Sequence, residues 1–173
     1  MVQLLIDYAN KNNIVLELNE KNNKGDYPFL WIYGNNNVGM VQLFIDYANK
    51  NNIVLELNEK SEHGWCPLLW ACYKNNIEMI QLLIDYANKN NIVMELNAKN
   101  NKGDNSFLWV CSNNDVEMVQ LLIDYANKNN IILELNEKNI YGDYSLLWAS
   151  VKSNINIVQL LIDYANKNNI ILE

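Results

Sequence analysis

The chain has 173 residues, half of them apolar, and a formal net charge of −7, so it can bury a core and is not expected to be disordered. All 13 basic residues are Lys, interspersed among 20 acids, which argues against the clustered Lys and Arg of a nucleic-acid surface. Cys66, Cys72 and Cys111 leave one thiol unpaired under any disulfide scheme. With His63 the single His, a closed zinc site is not expected either, and reduced thiols in an intracellular protein are the plain reading.

The chain opens on Met1–Asp7, which lacks the basic start and uninterrupted apolar run of a secretory signal. The longest uncharged stretch, 27–45, contains Asn35, Asn36 and Asn37 and is not a membrane span. Self-similarity then organises everything. Asp7, Asp46, Asp85, Asp124 and Asp163 are spaced by 39, as are Gly25, Gly64, Gly103 and Gly142, and Trp31, Trp70, Trp109 and Trp148. One array spanning 1–173 is expected: a partial repeat at 1–21, carrying a lone helix, then repeats at 22–60, 61–99, 100–138 and 139–173.

The second full unit shows the elements in order. Gly64 to Pro67 reads as a turn, with Gly supplying positive φ and Pro starting a helix. A short helix is expected from Pro67 to Lys74, ended by Asn75 and Asn76. A longer helix follows from Ile77 to Asn88 or Asn90, its apolar Ile77, Ile80, Leu83, Ile84 and Ala87 forming one stripe. Asp85 and Lys89 are spaced to pair along its exposed face. The segment 92–97 reads as an extended loop. No unit can bury its apolar face alone, so stacked copies, an all-α solenoid, are expected.

The run Gly64-x-Cys66-Pro67-Leu68-Leu69-x-Ala71, with Asn75-Asn76-x-Glu78-x-x-x-Leu82-Leu83 and Glu95-Leu96-Asn97-Ala98, resembles the ankyrin repeat along the whole chain. The resemblance implies an ankyrin-like solenoid of helix-turn-helix repeats joined by extended loops, and a non-enzymatic protein-binding function. Three features depart from the family. The repeat is 39 residues long, where about 33 is usual, with the excess after the second helix. The family's His is Leu30, Leu69, Leu108 and Leu147. Its Thr is Tyr27, Cys66, Asn105 and Tyr144, of which only Asn105 is a good helix cap.

The copies differ unevenly. From Gln3 to Lys21 and the equivalent spans, 15 of 19 positions are identical; from Asn22 to Val41 only 3 of 20 are. The resemblance places the variable part, turn tips and first helix, on the concave binding surface. The candidate partner-binding residues it implies are Glu62, His63, Trp65, Tyr73 and Lys74 in one unit. The next gives Lys102, Asp104, Ser112 and Asn113, and the last Ile140, Tyr141, Asp143, Val151 and Lys152. Trp65, Tyr73 and Tyr141 stand out, because exposed aromatics anchor protein interfaces. Neutral drift after tandem duplication produces the same contrast, and a spacer array without a specific ligand is the alternative function.

Other residues read as structural. The repeated Trp is expected in core or inter-repeat packing, and Cys72 and Cys111 as small, partly buried helix residues. Asp85, Glu95 and their equivalents read as solvated or capping groups, since catalytic sites are usually singular and concave. His63 has no Ser or Cys constellation near it, and no phosphate-binding Gly-rich loop is present. Asn97 and its equivalents are expected to tie the loop backbone. Most of the 34 Asn, beside a total absence of Arg, reads as compositional bias. No cofactor, metal, nucleic acid or membrane is implied. Both ends repeat the internal apolar pattern, so further repeats, or another chain covering the ends, are expected.

Overall fold

A computed structural model describes residues 2–173; Met1, expected in phase with Met40, Met79 and Met118, lies outside them. Among the described residues the helices run α1 (Val2–Asn12), α2 (Pro28–Gly34), α3 (Val38–Lys50), α4 (Pro67–Tyr73), α5 (Ile77–Lys89), α6 (Ser106–Asn113), α7 (Val116–Lys128), α8 (Ser145–Val151) and α9 (Ile155–Lys167). After α1, short and long helices alternate.

Local chemistry sets these boundaries. Pro28 and Pro67 open α2 and α4 with a φ already suited to a helix, at a position whose N–H would have no helical partner. At the departing cap position only Asn105 caps, its Oδ1 accepting from the Leu108 amide at 2.8 Å. Tyr27, Cys66 and Tyr144 make no side-chain cap. The long helices α3, α5, α7 and α9 start on Asn37, Asn76, Asp115 and Asn154, each accepting from the third amide onward. They stop on paired Asn. In α5, Asn90 Nδ2 donates to the Tyr86 carbonyl (2.9 Å), and Asn91 turns the chain at φ +56°. Asn tolerates that left-handed region better than most residues.

The short helices α2, α4, α6 and α8 form one row and the long helices a second. The core lies between them: Leu69, Ala71, Met79, Ile80, Leu83 and Ala87 are completely buried. Neighbouring short helices approach one another more closely than neighbouring long ones. This closer packing fits the ankyrin-like arrangement in which the short-helix row is the concave side.

Adjacent units are locked by the residues that do not vary. The buried Tyr86 hydroxyl accepts from the Leu55 amide (3.0 Å) and donates to the Ile53 carbonyl (3.2 Å) in the preceding loop. Tyr47, Tyr125 and Tyr164 repeat this clamp. Asn58 reaches forward, donating to the Val93 carbonyl (2.9 Å) and accepting from the Glu95 amide (3.0 Å). Asn19, Asn97 and Asn136 do likewise. Each copy is thus clamp for one neighbour and clamped by another, and the Tyr and Asn that make the clamps are the same in every copy.

Two expectations are corrected here. The Asn residues are not mere bias: they cap, turn and cross-link the helices at nearly every boundary. Asp85 does not pair with Lys89 but accepts from Gln81 Nε2 at 3.0 Å. The Lys of that phase instead reaches the preceding unit, as in Lys128 Nζ to Asn88 Oδ1 at 2.9 Å. The 92–97 segment is non-helical but pairs with no strand; among the described residues the one strand-like pairing is an isolated bridge between Lys99 and Asn105. No described helix is long and apolar enough to cross a membrane.

Candidate functional site

The turns before the short helices form a row of fingers. In the third unit Asn100 Oδ1 accepts from the amides of Lys102 (2.8 Å) and Asp104 (3.0 Å), closing the turn around Gly103. Asn22 and Asn139 close their turns in the same way. Backbone bonds then join finger to finger: Glu62 N–H to the Lys24 carbonyl (2.8 Å), Asn101 N–H to His63 (3.0 Å), Ile140 N–H to Lys102 (2.9 Å). Contact is so close that a Cβ on Gly64, at φ +79°, would stand 2.7 Å from Asn100 Cα. The fingertips are therefore held in fixed register above the short helices.

Between fingertips and short helices runs a row of aromatic rings. Trp65, on a finger, stacks on Trp70 of α4 with centroids 4.2 Å apart and planes 22° from parallel. Tyr73, one helical turn further on, meets Trp65 edge-on at 5.3 Å and Trp109 of α6 at 4.8 Å. Trp70 in turn lies over the bare backbone of Gly34. Lys74 Nζ stands 5.5 Å from the Trp70 ring centre and 5.4 Å from that of Tyr73, within cation–π range. Lys102 stands 6.0 Å from the ring of Tyr141 and Lys152 5.8 Å from that of Trp148.

Two side-chain-sized concavities flank Trp65. One, of ≈ 300 Å³, lies among Trp31, Trp65, Trp70, Asp26 and His63. The other, of ≈ 270 Å³, lies among Trp65, Tyr73, Trp109, Tyr141, Trp148 and Asp143. A larger open groove between α7 and α9 lies on the opposite face, lined by Gln120, Leu121, Asp124 and their equivalents in α9, Gln159 and Leu160.

The candidate residues fall as follows. Trp65, Tyr73, Lys102, Asp104, Tyr141 and Asp143 meet at the second concavity. His63 lines the first, its Nε2 3.4 Å from Glu62. Lys74 and Lys152 cover aromatic faces, and Ile140 and Val151 are exposed. Ser112 and Asn113 are spent on structure: Ser112 Oγ donates to the Trp109 carbonyl (2.9 Å), and Asn113 Nδ2 to that of Cys72 (2.7 Å). Asp104 departs from the expectation of an exposed side chain. It is buried, and its carboxylate accepts from Asn100 (3.0 Å) and Asn139 (2.8 Å), binding two fingers together.

Of the two places expected for the repeated Trp residues, core or inter-repeat packing, Trp70 and Trp109 take the second, against Gly34 and Tyr73 of the preceding units. Trp31 is 58% exposed, and Trp70, Trp109 and Trp148 are half-buried in the concavities rather than sunk in the core. Their neighbours Leu30, Leu69 and Leu108 take the core positions instead. The signal in the sequence was the adjacency itself: Leu and Trp side by side cannot both face inward from a short helix.

The thiols are chemically quiet. Cys66, Cys72 and Cys111 are buried, and burial pushes all three thiols above their ordinary range. Burial also raises the phenols of Tyr27 and Tyr33. The Tyr27 hydroxyl donates to the carbonyls of Glu56 (2.7 Å) and Glu59 (3.1 Å), whereas that of Tyr33 has no partner among the described residues. No three described His, Cys, Asp or Glu side chains gather as metal ligands.

Comparison with known families gives the same architecture. A model described as "Ankyrin repeats (3 copies)" matches residues 1–94, and one described as "Ankyrin repeats (many copies)" matches residues 68–123. No characterised protein sequence matches the chain closely enough to add a more specific relative. Such repeats are generally protein–protein interaction modules and typically non-enzymatic. With more than half its length matched and its helix pairs stacked in one phase, the chain belongs to the ankyrin-repeat family.

Proposed function

We propose that this array binds a protein partner on its concave face, through fingertips and short helices of the units at 61–99, 100–138 and 139–173. The carrying observation is the aromatic row: Trp65, Tyr73 and Tyr141, contributed by the variable half of the repeat, stand beside Trp70, Trp109 and Trp148 around two side-chain-sized concavities. Aromatic rings offer large contact area at little conformational cost, and exposed clusters of them anchor interfaces. The uneven copying supports the reading. The half of the repeat that carries the Tyr and Asn clamps is nearly constant, while the half lining the concave face varies. Replacing Trp65, Tyr73 and Tyr141 together by Ala is expected to abolish partner capture with the array still folded by circular dichroism. Capture at wild-type strength by the folded variant would overturn the proposal.

A further inference from the structure

The charges on the concave face differ from those on the loops. On the loops Lys21 pairs with Glu59, and Lys99 with Glu134 (2.7 Å) and Glu137 (3.0 Å). On the concave face Lys74, Lys102 and Lys152 are held over aromatic rings, with no carboxylate partner among the described residues. Of the acids nearby, the Asp104 carboxylate is held by two Asn amides, Asp143 accepts from Asn139 (3.4 Å), Glu62 stands 3.4 Å from His63, and Asp26 lies at the first concavity; none forms an ion pair with these Lys. In a chain of net charge −7, this face carries three unpaired ammonium groups above an aromatic floor.

We propose that the partner segment is an acidic peptide in extended conformation, laid across the last three units. Its apolar side chains enter the two concavities beside Trp65, and its carboxylates meet Lys74, Lys102 and Lys152. This rests on the concave-face reading above and adds the chemistry of the ligand. An extended chain sends successive side chains to opposite sides, so alternating acidic and apolar residues satisfy both features at once. Carboxylates arriving there meet ammonium groups with no other acid to give up. A basic segment instead meets three like charges.

The test is selection of a random dodecapeptide library, displayed on phage, against the full chain. Recovered peptides are then synthesised and titrated by tryptophan fluorescence at low and high salt. The expected winners interleave Asp or Glu with Phe, Tyr, Trp, Leu or Ile. Their binding is expected to weaken with salt, and by about tenfold when Lys74→Gln, Lys102→Gln and Lys152→Gln are combined, three partly exposed pairs being lost. The same peptide with its acids changed to Asn or Gln tests the charge on the unaltered protein and is expected to lose as much. Neutral or basic winners that require Trp65, Tyr73 and Tyr141 would overturn the acidic ligand while leaving the concave site standing. Winners indifferent to the aromatic and the Lys substitutions alike would overturn both readings. A single-stranded oligouridylate that binds tighter than the selected peptide, and depends on the same Lys, would overturn the peptide in favour of nucleic acid.

Discussion

Trp65 and Trp70 stack with ring centres 4.2 Å apart, one standing where the other three copies carry Asp and one at a position that never changes. The fixed indole is set by α4, and the variable one is laid on it by the finger. Trp65 borders both concavities and Trp70 the first, so framework and recognition elements meet in a single contact.

The half-buried Trp109 completes the second concavity with Tyr73, whose ring is 4.8 Å away. Trp109→Ala is expected to weaken peptide or partner binding at least as much as Tyr73→Ala, about tenfold or more for an interface aromatic. Isothermal titration of the two variants makes the comparison. Unchanged affinity in Trp109→Ala would show that this Trp is scaffold alone.

Two Tyr→Phe changes separate clamp from filler. Tyr86→Phe removes both bonds to the preceding loop and leaves the Leu55 N–H and the Ile53 carbonyl without that partner. A loss of about 1–3 kcal/mol is expected. Tyr33→Phe removes a buried hydroxyl with no partner among the described residues and is expected to be neutral or stabilising. Urea denaturation of both variants gives the ordering.

Gly64 and Gly142 share a left-handed backbone but not surroundings. A Cβ on Gly64 would stand 2.7 Å from Asn100 Cα, whereas nothing lies within 4 Å of one on Gly142. Gly142→Ala should cost only the backbone strain, about 1–2 kcal/mol. Gly64→Ala is expected to cost distinctly more, because the next finger must move. Equal melting temperatures for the two would contradict the tight stacking of fingers.

The array is expected to lose stability in alkali. The thiols of Cys66, Cys72 and Cys111 and the phenols of Tyr27 and Tyr33 are pushed up by burial, while in the unfolded chain they ionise near pH 8.5 and near pH 10 respectively. Above about pH 8.5 the unfolded state sheds protons that the folded state keeps, so unfolding becomes easier as pH rises. Lys99 acts in the same direction. Its hydrogen bonds to Glu134 and Glu137 raise it, and that stabilisation is lost as pH climbs through the raised value. Thermal melts should show Tm falling between about pH 8.5 and 11; a constant Tm across that range would contradict the burial of these groups.

The period, the helix order, the Gly turns and the single good cap at Asn105 were legible in the sequence, because each depends on spacing or on one residue's own chemistry. The orientation of the short helices was not. With only seven or eight residues, α4 and α6 make about two turns, and a rotation of one residue exchanges Leu69 for Trp70 in the core. Asp104 was missed for another reason. Its burial needs an Asn amide from its own finger and another from the next, a coincidence of two units. Asp26 faces a unit carrying Ser61 in place of that Asn, and is only half-buried. The Asn excess was misread because composition alone does not show that most Asn stand at a cap, a left-handed turn or an inter-repeat tie.

The central claim is that partner contact lies on the concave aromatic face. Photo-crosslinking from a benzophenone side chain placed at Tyr73 or Tyr141, and separately at Gln81 or Gln120 on the long helices, tests it directly. The expected result is crosslinks to the bound partner from positions 73 and 141 and none from 81 and 120. Crosslinks from the long-helix positions, with none from 73 and 141, would place the partner on the opposite face and contradict the claim.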